Sequence, residues 1–310
     1  MFSRVGVIAM NTYREAVRAR VLHGLFALAL ATAGYSLVVG AYAVRAQLRV
    51  VSDLGAASIS LYGIIVAVVL ASTSLYRELE LKTVFPILAR PIRRSEYLIG
   101  KFLGIVFTLG VFIAANSGAL LLALAELSGR SAELVLGVGV GSALVALVLG
   151  WRVARLRIAL PILWAALVCV AGWWLAADAP DDRRVIVGSA ALTLCEVGIV
   201  AAIATLFSSF SSPFLTAVLT FGVFLVGRSA DTLAHMPARV FGQAIQKAGV
   251  VLGKVFPNLM LYVPPRPLLT GEAAGSGLGQ YLLIAALHAV AWAVGLIALA
   301  GLVFRRRDFL

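Results

Sequence analysis

Long apolar runs alternate with short polar clusters along almost the whole chain. A helix needs about 20 mainly apolar residues to cross the hydrocarbon core of a bilayer. The eight predicted spans are residues 22–44, 56–76, 102–126, 133–150, 159–177, 186–207, 213–228 and 281–304. The pattern therefore predicts an all-α protein, a polytopic transmembrane helix bundle of about eight spans. The fourth and seventh spans are the shortest.

Composition changes how the charge is interpreted. Apolar residues make up 62% of the chain and charged residues 13%, against roughly 45–50% and 25% in soluble domains. A soluble enzyme is therefore excluded. The formal net charge is +12, but the basic residues flank apolar runs, so no nucleic-acid partner is expected. If the N-terminus is inside the cell, the internal segments carry the greater density of basic residues, as the positive-inside rule requires. This orientation places both termini in the cytoplasm. The chain is then expected to be a multi-pass protein of the inner or plasma membrane.

Two segments outside the spans are amphipathic. Residues 1–21 carry one apolar helical face and one polar face, as in a helix at the membrane surface. The apolar face holds Val5, Ala9, Thr12, Tyr13 and Ala16, and the polar face holds Arg4, Asn11, Arg14, Glu15 and Arg18. The run after this helix is too long for the core of a signal peptide. In the predicted extracytoplasmic segment, 229–280, residues 240–255 also have helical spacing, and residues 262–279 are typical of extended chain and a flexible linker.

The sequence contains none of the common catalytic or nucleotide-binding motifs. There is no phosphate-binding G-x-x-x-x-G-K-[ST] loop, no H-E-x-x-H and no G-x-S-x-G. Cys169 and Cys195 lie inside apolar runs, and the three histidines have no carboxylate at metal-ligand spacing. We expect no enzyme activity, cofactor or metal in this chain.

Polar residues inside the predicted spans are the first site candidates, because charge in the membrane is costly and usually faces the bundle interior. Each candidate has two interpretations. Glu196 is either a proton or cation relay or substrate contact, or a carboxyl that holds helices together, neutral or bonded by groups such as the Asn116 amide. Asn116, beside Ser117 and Gly118, has the same two interpretations, and the small residues beside it favour close helix packing. His288 is a packing residue or a relay.

The segment between the second and third spans, residues 77–101, mixes charges of both signs with apolar anchors. Its first part reads Arg77-Glu78-x-Glu80-x-x-Thr83, and its second part reads Arg90-Pro91-Ile92-x-Arg94-x-Glu96-Tyr97-x-x-Gly100-Lys101-Phe102. Arg90-Pro91 ends one helix, and Ser95 can cap the next. A short helix held between two spans can transmit movement from a soluble partner, although from the residues alone it is equally well a basic loop that fixes topology.

This segment resembles the signature of ABC-2 type permeases, the membrane subunits of ABC transporters. Four shorter pieces are similar to the subgroup related to the permease of nitrous-oxide reductase and copper-enzyme maturation: Asn11 to Glu15, Asp53 to Gly55, Ser208 to Pro213, and Phe256 to Leu259. The resemblance implies a permease domain over residues 22–310 that pairs with a second copy or a homologous permease. Each permease would dock an ATP-binding subunit, which holds ATP and Mg, on a coupling helix at 77–90.

The resemblance also implies residue roles and a departure from the family. The implied ATPase-coupling residues are Arg77, Glu78, Glu80, Thr83, Arg90, Pro91, Arg94 and Glu96. The family has six spans, so residues 133–177, hereafter the hairpin, form an addition with a basic turn at Arg152, Arg155 and Arg157. The implied function is transport of an unidentified substrate, with export as the family tendency.

Two other functions stay open at the level of sequence. One is an ion-coupled secondary transporter that uses Glu196 and His288, although inverted repeats and paired broken helices are not evident. The other is a non-transporting membrane partner that uses ATPase motion to regulate a process outside. That role calls for a sizeable outer domain, and the 229–280 segment is small for one.

Overall fold

The computed structural model describes residues 2–43, 45–80, 93–235, 243–272 and 277–305, and every regular element among them is helical. The described α-helices are α1 (Phe2–Arg18), α2 (Arg20–Tyr42), α3 (Gln47–Glu80), α4 (Arg94–Leu127), α5 (Ala132–Leu136), α6 (Ser142–Arg152), α7 (Leu160–Leu175), α8 (Pro180–Ser208), α9 (Pro213–Arg228), α10 (Ala230–Ala234), α11 (Gln243–Val255), α12 (Arg266–Thr270) and α13 (Leu278–Arg305). A π-helical turn at Gly137–Gly141 joins α5 to α6, and a 3-10 turn at Leu259–Tyr262 precedes α12.

The predicted all-α polytopic bundle is confirmed in the described residues. Seven helices there are long and apolar enough to cross a membrane, with α5, the π turn and α6 counted as one. The one remaining predicted span, the seventh, is α9, which has the expected bounds, Pro213–Arg228, but only 16 residues. It is shorter than each of the seven spanning segments, and it ends beside the middle of its neighbour α8.

The core of the bundle is formed by α3, α4 and α8, which pack against one another. Leu109, Leu120 and Leu124 of α4 are fully buried in it, together with Val197 and Val200 of α8. Helix α2 covers α3, and α13 covers the other side of α8. The core is therefore flanked by helices that leave much of their apolar surface uncovered by protein.

The hairpin is attached to this core through α7. A Cβ atom placed at Gly118 of α4 would lie 2.7 Å from the backbone nitrogen of Cys169, so α7 approaches α4 as closely as backbone allows. Helix α6 is much less covered, and Leu144, Val145 and Leu147 are exposed on it. The α7 arm of the hairpin is thus packed against the core, whereas the α6 arm has much of its surface uncovered by protein.

Helix α1 lies within the segment predicted to be an amphipathic surface helix, and protein covers part of its apolar face. Thr12, Tyr13 and Ala16 are buried, and Gly104 of α4 leaves room for α1, since a Cβ there would lie 2.5 Å from the Ala9 carbonyl oxygen. The Tyr13 hydroxyl donates to the Ile158 carbonyl oxygen at 3.1 Å, and burial raises the pKa of Tyr13 to about 12. The end of the bundle that holds α1 and residues 153–159 is called the α1 end below.

The segment after α9 corrects a prediction. Residues 262–279 were expected to be extended chain and a flexible linker, yet α12 lies within them and the 3-10 turn ends at Tyr262. Leu259, Tyr262 and Leu269 are buried in a second apolar cluster with α8 and α13. Pro267 in the first turn of α12 explains part of this difference, because proline suits the start of a helix as well as extended chain. The amphipathic prediction for 240–255 is met by α11 from Gln243 onward, and residues 240–242 are outside the described residues.

Candidate functional site

A buried ion pair joins three helices near the middle of α8. Arg228 donates from Nε to Glu196 Oε1 at 2.7 Å and from Nη2 to Glu196 Oε2 at 2.9 Å. Ser60 of α3 completes the group, accepting from Arg228 Nη2 at 3.2 Å and donating to Glu196 Oε2 at 3.4 Å. The Glu196 side chain is fully buried and that of Arg228 is 24% exposed. This bidentate geometry is the strong form of the arginine–carboxylate pair.

The pair corrects the prediction for Glu196. Its own span has no basic residue, so Glu196 was expected to be neutral or to be hydrogen-bonded by groups on neighbouring helices such as the Asn116 amide, and Arg228 was assigned to the outer segment. Instead α9 is short enough that its last residue reaches only the level of Glu196. The Asn116 amide donates to the Phe112 carbonyl oxygen at 2.8 Å on its own helix. The length of α9 was the signal that could have found this partner.

Asn116 and Ser117 lie where α4 meets the hairpin. Both are buried, and the Asn116 Oδ1 and Ser117 Oγ atoms have no hydrogen-bond partner among the residues that the structure describes. The next residue, Gly118, makes the close contact with α7. The position fits the packing interpretation of Asn116, and the structure does not bring Asn116 together with Glu196.

His288 of α13 forms a separate hydrogen-bonded group. Its Nδ1 lies 2.9 Å from the Tyr262 hydroxyl, and Trp292 donates from Nε1 to His288 Nε2 at 3.1 Å. The Tyr262 hydroxyl also lies 3.2 Å from the Ala285 carbonyl oxygen. Both ring nitrogens of His288 therefore have partners inside the protein, as a packing histidine requires.

A second charged junction, at the end opposite α1, was missed by the sequence analysis. Arg266 at the start of α12 donates to carboxylate oxygens of Asp53 and Asp182 and to the Ser52 hydroxyl. Ser52 in turn donates to Asp182 Oδ1 at 2.8 Å. The junction ties α12 to the N-terminal parts of α3 and α8. Arg266 stands between Pro265 and Pro267 in the sequence. The partners of Arg266 are far away along the chain, so no local pattern identified the junction.

A third junction lies at the α1 end, beside the segment predicted to couple to an ATPase. Lys101 of α4 is buried, pairs with Glu15 of α1 at 3.6 Å, and donates to the Ser74 hydroxyl of α3 at 3.0 Å. The predicted coupling residues Arg77, Glu78 and Glu80 are on the last turn of α3. Thr83, Arg90 and Pro91 lie outside the described residues.

The start of α4 corrects a predicted cap. Ser95 was expected to cap this helix, but α4 begins at Arg94, with Arg93 as the preceding residue. The buried Glu96 carboxylate accepts the Arg93 backbone N–H at 3.3 Å. Glu96, one of the predicted coupling residues, therefore satisfies the first turn of α4.

The described residues contain no group of three or more metal-ligating side chains. Their polar chemistry consists of ion pairs and hydrogen bonds that join helices. With seven apolar helices of spanning length, this arrangement is that of a polytopic helical membrane protein. No family model matches the chain, and no curated protein matches it either.

Proposed function

We propose that this chain is the membrane-spanning permease subunit of an ABC transporter and moves its substrate in the export direction. A separate ATP-binding subunit would dock on the coupling segment, residues 77–90, and supply the energy. The observation that carries the proposal is the signature at residues 77–102, which resembles that of ABC-2 type permeases. This signature connects α3 to α4, two of the three core helices.

The packing around this connection supports a coupling role. Helix α3 runs unbroken from Gln47 to Glu80, so a displacement at its end acts on a rigid rod that reaches through the core. The buried Lys101 links α4 to α3 through Ser74 and to α1 through Glu15. Closure of an ATPase dimer against the segment would therefore move α1, α3 and α4 together and switch access through two paired permeases.

The proposal requires the α1 end to face the cytoplasm, where ATP is available. Its support is the greater density of basic residues at that end. With Cys169 and Cys195 replaced, a cysteine at Ala154 should resist a membrane-impermeant thiol reagent in intact cells and react after permeabilisation. A cysteine at the exposed Ser131, at the opposite end, should react in intact cells. Labelling of the Ala154 variant in intact cells would reverse the orientation.

The ion-coupled alternative has less support. Glu196 is held by two hydrogen bonds from Arg228, and His288 has partners on both ring nitrogens. A relay through either residue would first have to break these contacts. The pair is better explained as a clamp between α3, α8 and α9.

The test is to purify the tagged chain from its native membrane in mild detergent. An ATP-binding protein should be retained, and the purified complex should hydrolyse ATP at a rate that candidate substrates change. A chain that purifies alone, and that drives uptake into vesicles with an ion gradient and no ATP, would replace the proposal with the ion-coupled alternative.

A further inference from the structure

Two cavities follow one another in the groove between α2, α4 and the hairpin. The larger has a volume of about 1040 Å³ and reaches the α1 end, where α1, Arg157 and Ile158 line it. The smaller, about 410 Å³, lies nearer the opposite end, beside Glu126 and Leu136. Phe26, Ala143 and Trp164 line both cavities. Together they form one long groove with a constriction between two chambers.

The walls of the groove are apolar. Phe26 packs edge-on against Phe112 and Trp164, with ring centroids 5.9 Å and 6.1 Å apart, and Phe26 and Trp164 lie at the constriction. On the hairpin side the larger cavity is lined by the small residues Ala143 and Ala146. Hydrocarbon chains fit such walls, whereas a soluble polar ligand would leave them without contacts.

The mouth of the larger cavity is basic. Arg14 and Arg18 of α1, His23 of α2 and Arg157 of the hairpin turn all line it. Within the described part of the chain none of the three arginines pairs with a carboxylate, although Arg157 Nε donates to the Gly150 carbonyl oxygen at 2.7 Å. Glu15, the acidic residue of α1, is paired with Lys101 instead. Three guanidinium groups at one mouth favour a ligand with a negative headgroup.

We propose that this groove is a binding site for an anionic phospholipid of the leaflet on the α1 side. The headgroup phosphate binds among Arg14, Arg18 and Arg157, and the acyl chains follow the apolar walls toward Phe26 and Trp164. The larger cavity alone, about 1040 Å³, is at the upper end of the range for small-molecule pockets, roughly 300–1,000 Å³. A zwitterionic lipid such as phosphatidylcholine offers the same phosphate but also brings a quaternary ammonium close to the arginines, and a soluble anion leaves the walls empty.

The proposal gives the hairpin a physical role. Its arms α6 and α7 form one wall of the groove, and its turn supplies Arg157. The site rests on the membrane-spanning fold and not on the proposed transport function. It stands even if no ATPase binds this chain.

The test uses the full chain in bilayers of phosphatidylcholine that contain a small fraction of lipid with brominated acyl chains, which quench tryptophan on contact. The brominated lipid is either phosphatidylglycerol or phosphatidylcholine. The signal is the quenching of Trp164 fluorescence, obtained as the part of the total tryptophan quenching that is absent in the Trp164→Phe variant. We expect brominated phosphatidylglycerol to quench Trp164 at a much lower mole fraction than brominated phosphatidylcholine does.

Two sets of variants test the headgroup and the chains separately. In the triple variant Arg14→Gln, Arg18→Gln, Arg157→Gln, the ratio of quenching by phosphatidylglycerol to quenching by phosphatidylcholine should fall on the order of tenfold or more. The matched variant Arg152→Gln, Arg155→Gln removes charge from the same turn but not from the cavity lining, and should keep it. Ala143→Phe, which fills the constriction, should reduce quenching by either lipid, whereas Val145→Phe on the exposed face of α6 should not.

The outcomes separate an amphiphile from a free anion. Soluble glycerol 3-phosphate should not relieve the quenching, since it lacks the chains that hold the lipid. If it does relieve it, the mouth is a general anion site and the lipid proposal is wrong. Equal quenching by the two lipids in the unmodified protein would also overturn it. An unchanged preference for phosphatidylglycerol in the triple variant would overturn it as well. If the triple variant does not fold, unchanged quenching of Trp164 in the Ala143→Phe variant decides against the proposal.

Discussion

The core helices and the α5–α6 arm of the hairpin are similarly apolar, yet the protein covers them very differently. The protein buries 56% of the most apolar stretch in α3 and in α4, and 61% of that in α8. The corresponding share for Ala132–Arg152, the α5–α6 arm, is 11%. Hydropathy therefore says that a segment prefers the membrane, but not whether its neighbours are helices or lipid.

The difference extends to the charges. In the core, Glu196 and Arg228 neutralise each other across helices, and Arg266 does the same for Asp53 and Asp182. In the hairpin turn, Arg152, Arg155 and Arg157 are exposed. Charges in the core hold the helices to one another, whereas charges in the hairpin are available to something outside the chain.

Breaking the central ion pair should have the largest effect. Glu196→Leu leaves Arg228 without its carboxylate inside the bundle, which should lower stability by about 3 kcal/mol, since removal of one partner strands the other charge. The midpoint of thermal unfolding in detergent measures this. The double variant Glu196→Leu, Arg228→Leu removes both charges and should recover most of the loss. A double variant no more stable than the single one would show that the pair is not the stabilising unit.

Glu196→Gln separates the clamp from a relay. Gln keeps one hydrogen bond to Arg228 but not the charge, so stability should fall less than with Leu. Transport should persist in the folded variant if Glu196 is structural. A folded Gln variant without transport would assign Glu196 a titrating role.

The contrast between the two arms of the hairpin can be sharpened with glycine substitutions. Gly118→Val places a side chain against the backbone of α7 and should cost about 2 to 3 kcal/mol, because neither backbone can move aside locally. Gly137→Ala, in the π-helical turn, meets nothing within 4 Å and should be neutral. Thermal unfolding of both variants is the measurement. Equal losses would mean that both arms are equally packed in the membrane.

The junction at the end opposite α1 should give a smaller effect. Arg266→Gln removes the ion pairs with Asp53 and Asp182 and should cost about 2 kcal/mol, as for hydrogen bonds to charged groups. The control is Arg184→Gln, because Arg184 is 53% exposed and donates to the Thr270 carbonyl oxygen. That variant should stay within about 0.5 kcal/mol of the unmodified protein. Protease resistance of the α12 region in the folded protein gives an independent measure. Similar losses in the two variants would contradict a structural role for the junction.

The helices could be predicted from the sequence because apolar content and helix length are local properties. The bounds of α9 match the predicted span, and α1 and α11 follow their amphipathic patterns. Where local signals compete, prediction failed. The prolines among residues 264–267 suit the start of a helix as well as extended chain. Ser95 is a residue type that often caps helices, but α4 begins one residue before it, so Arg93 occupies the cap position instead.

The sites could be predicted only in part because they depend on contacts between distant residues. Glu196 could be singled out as a costly charge, but its partner depends on where α9 stops beside α8. Arg266 meets Asp53 and Asp182 only once three helices are assembled. The predicted coupling residues were selected by their sequence pattern, and their proposed role depends on a second protein.

The most direct test of the central claim is how much ATP-binding protein the chain retains when residues 77–90 are altered. Glu78→Lys with Glu80→Lys reverses two charges at the end of α3, and the matched control, Glu133→Lys with Glu272→Lys, makes the same change at exposed positions of the opposite end. Both double variants should insert and fold like the unmodified protein. The account predicts that only the first loses the ATP-binding subunit and the ATP-dependent transport. Full retention and transport in that variant would contradict it.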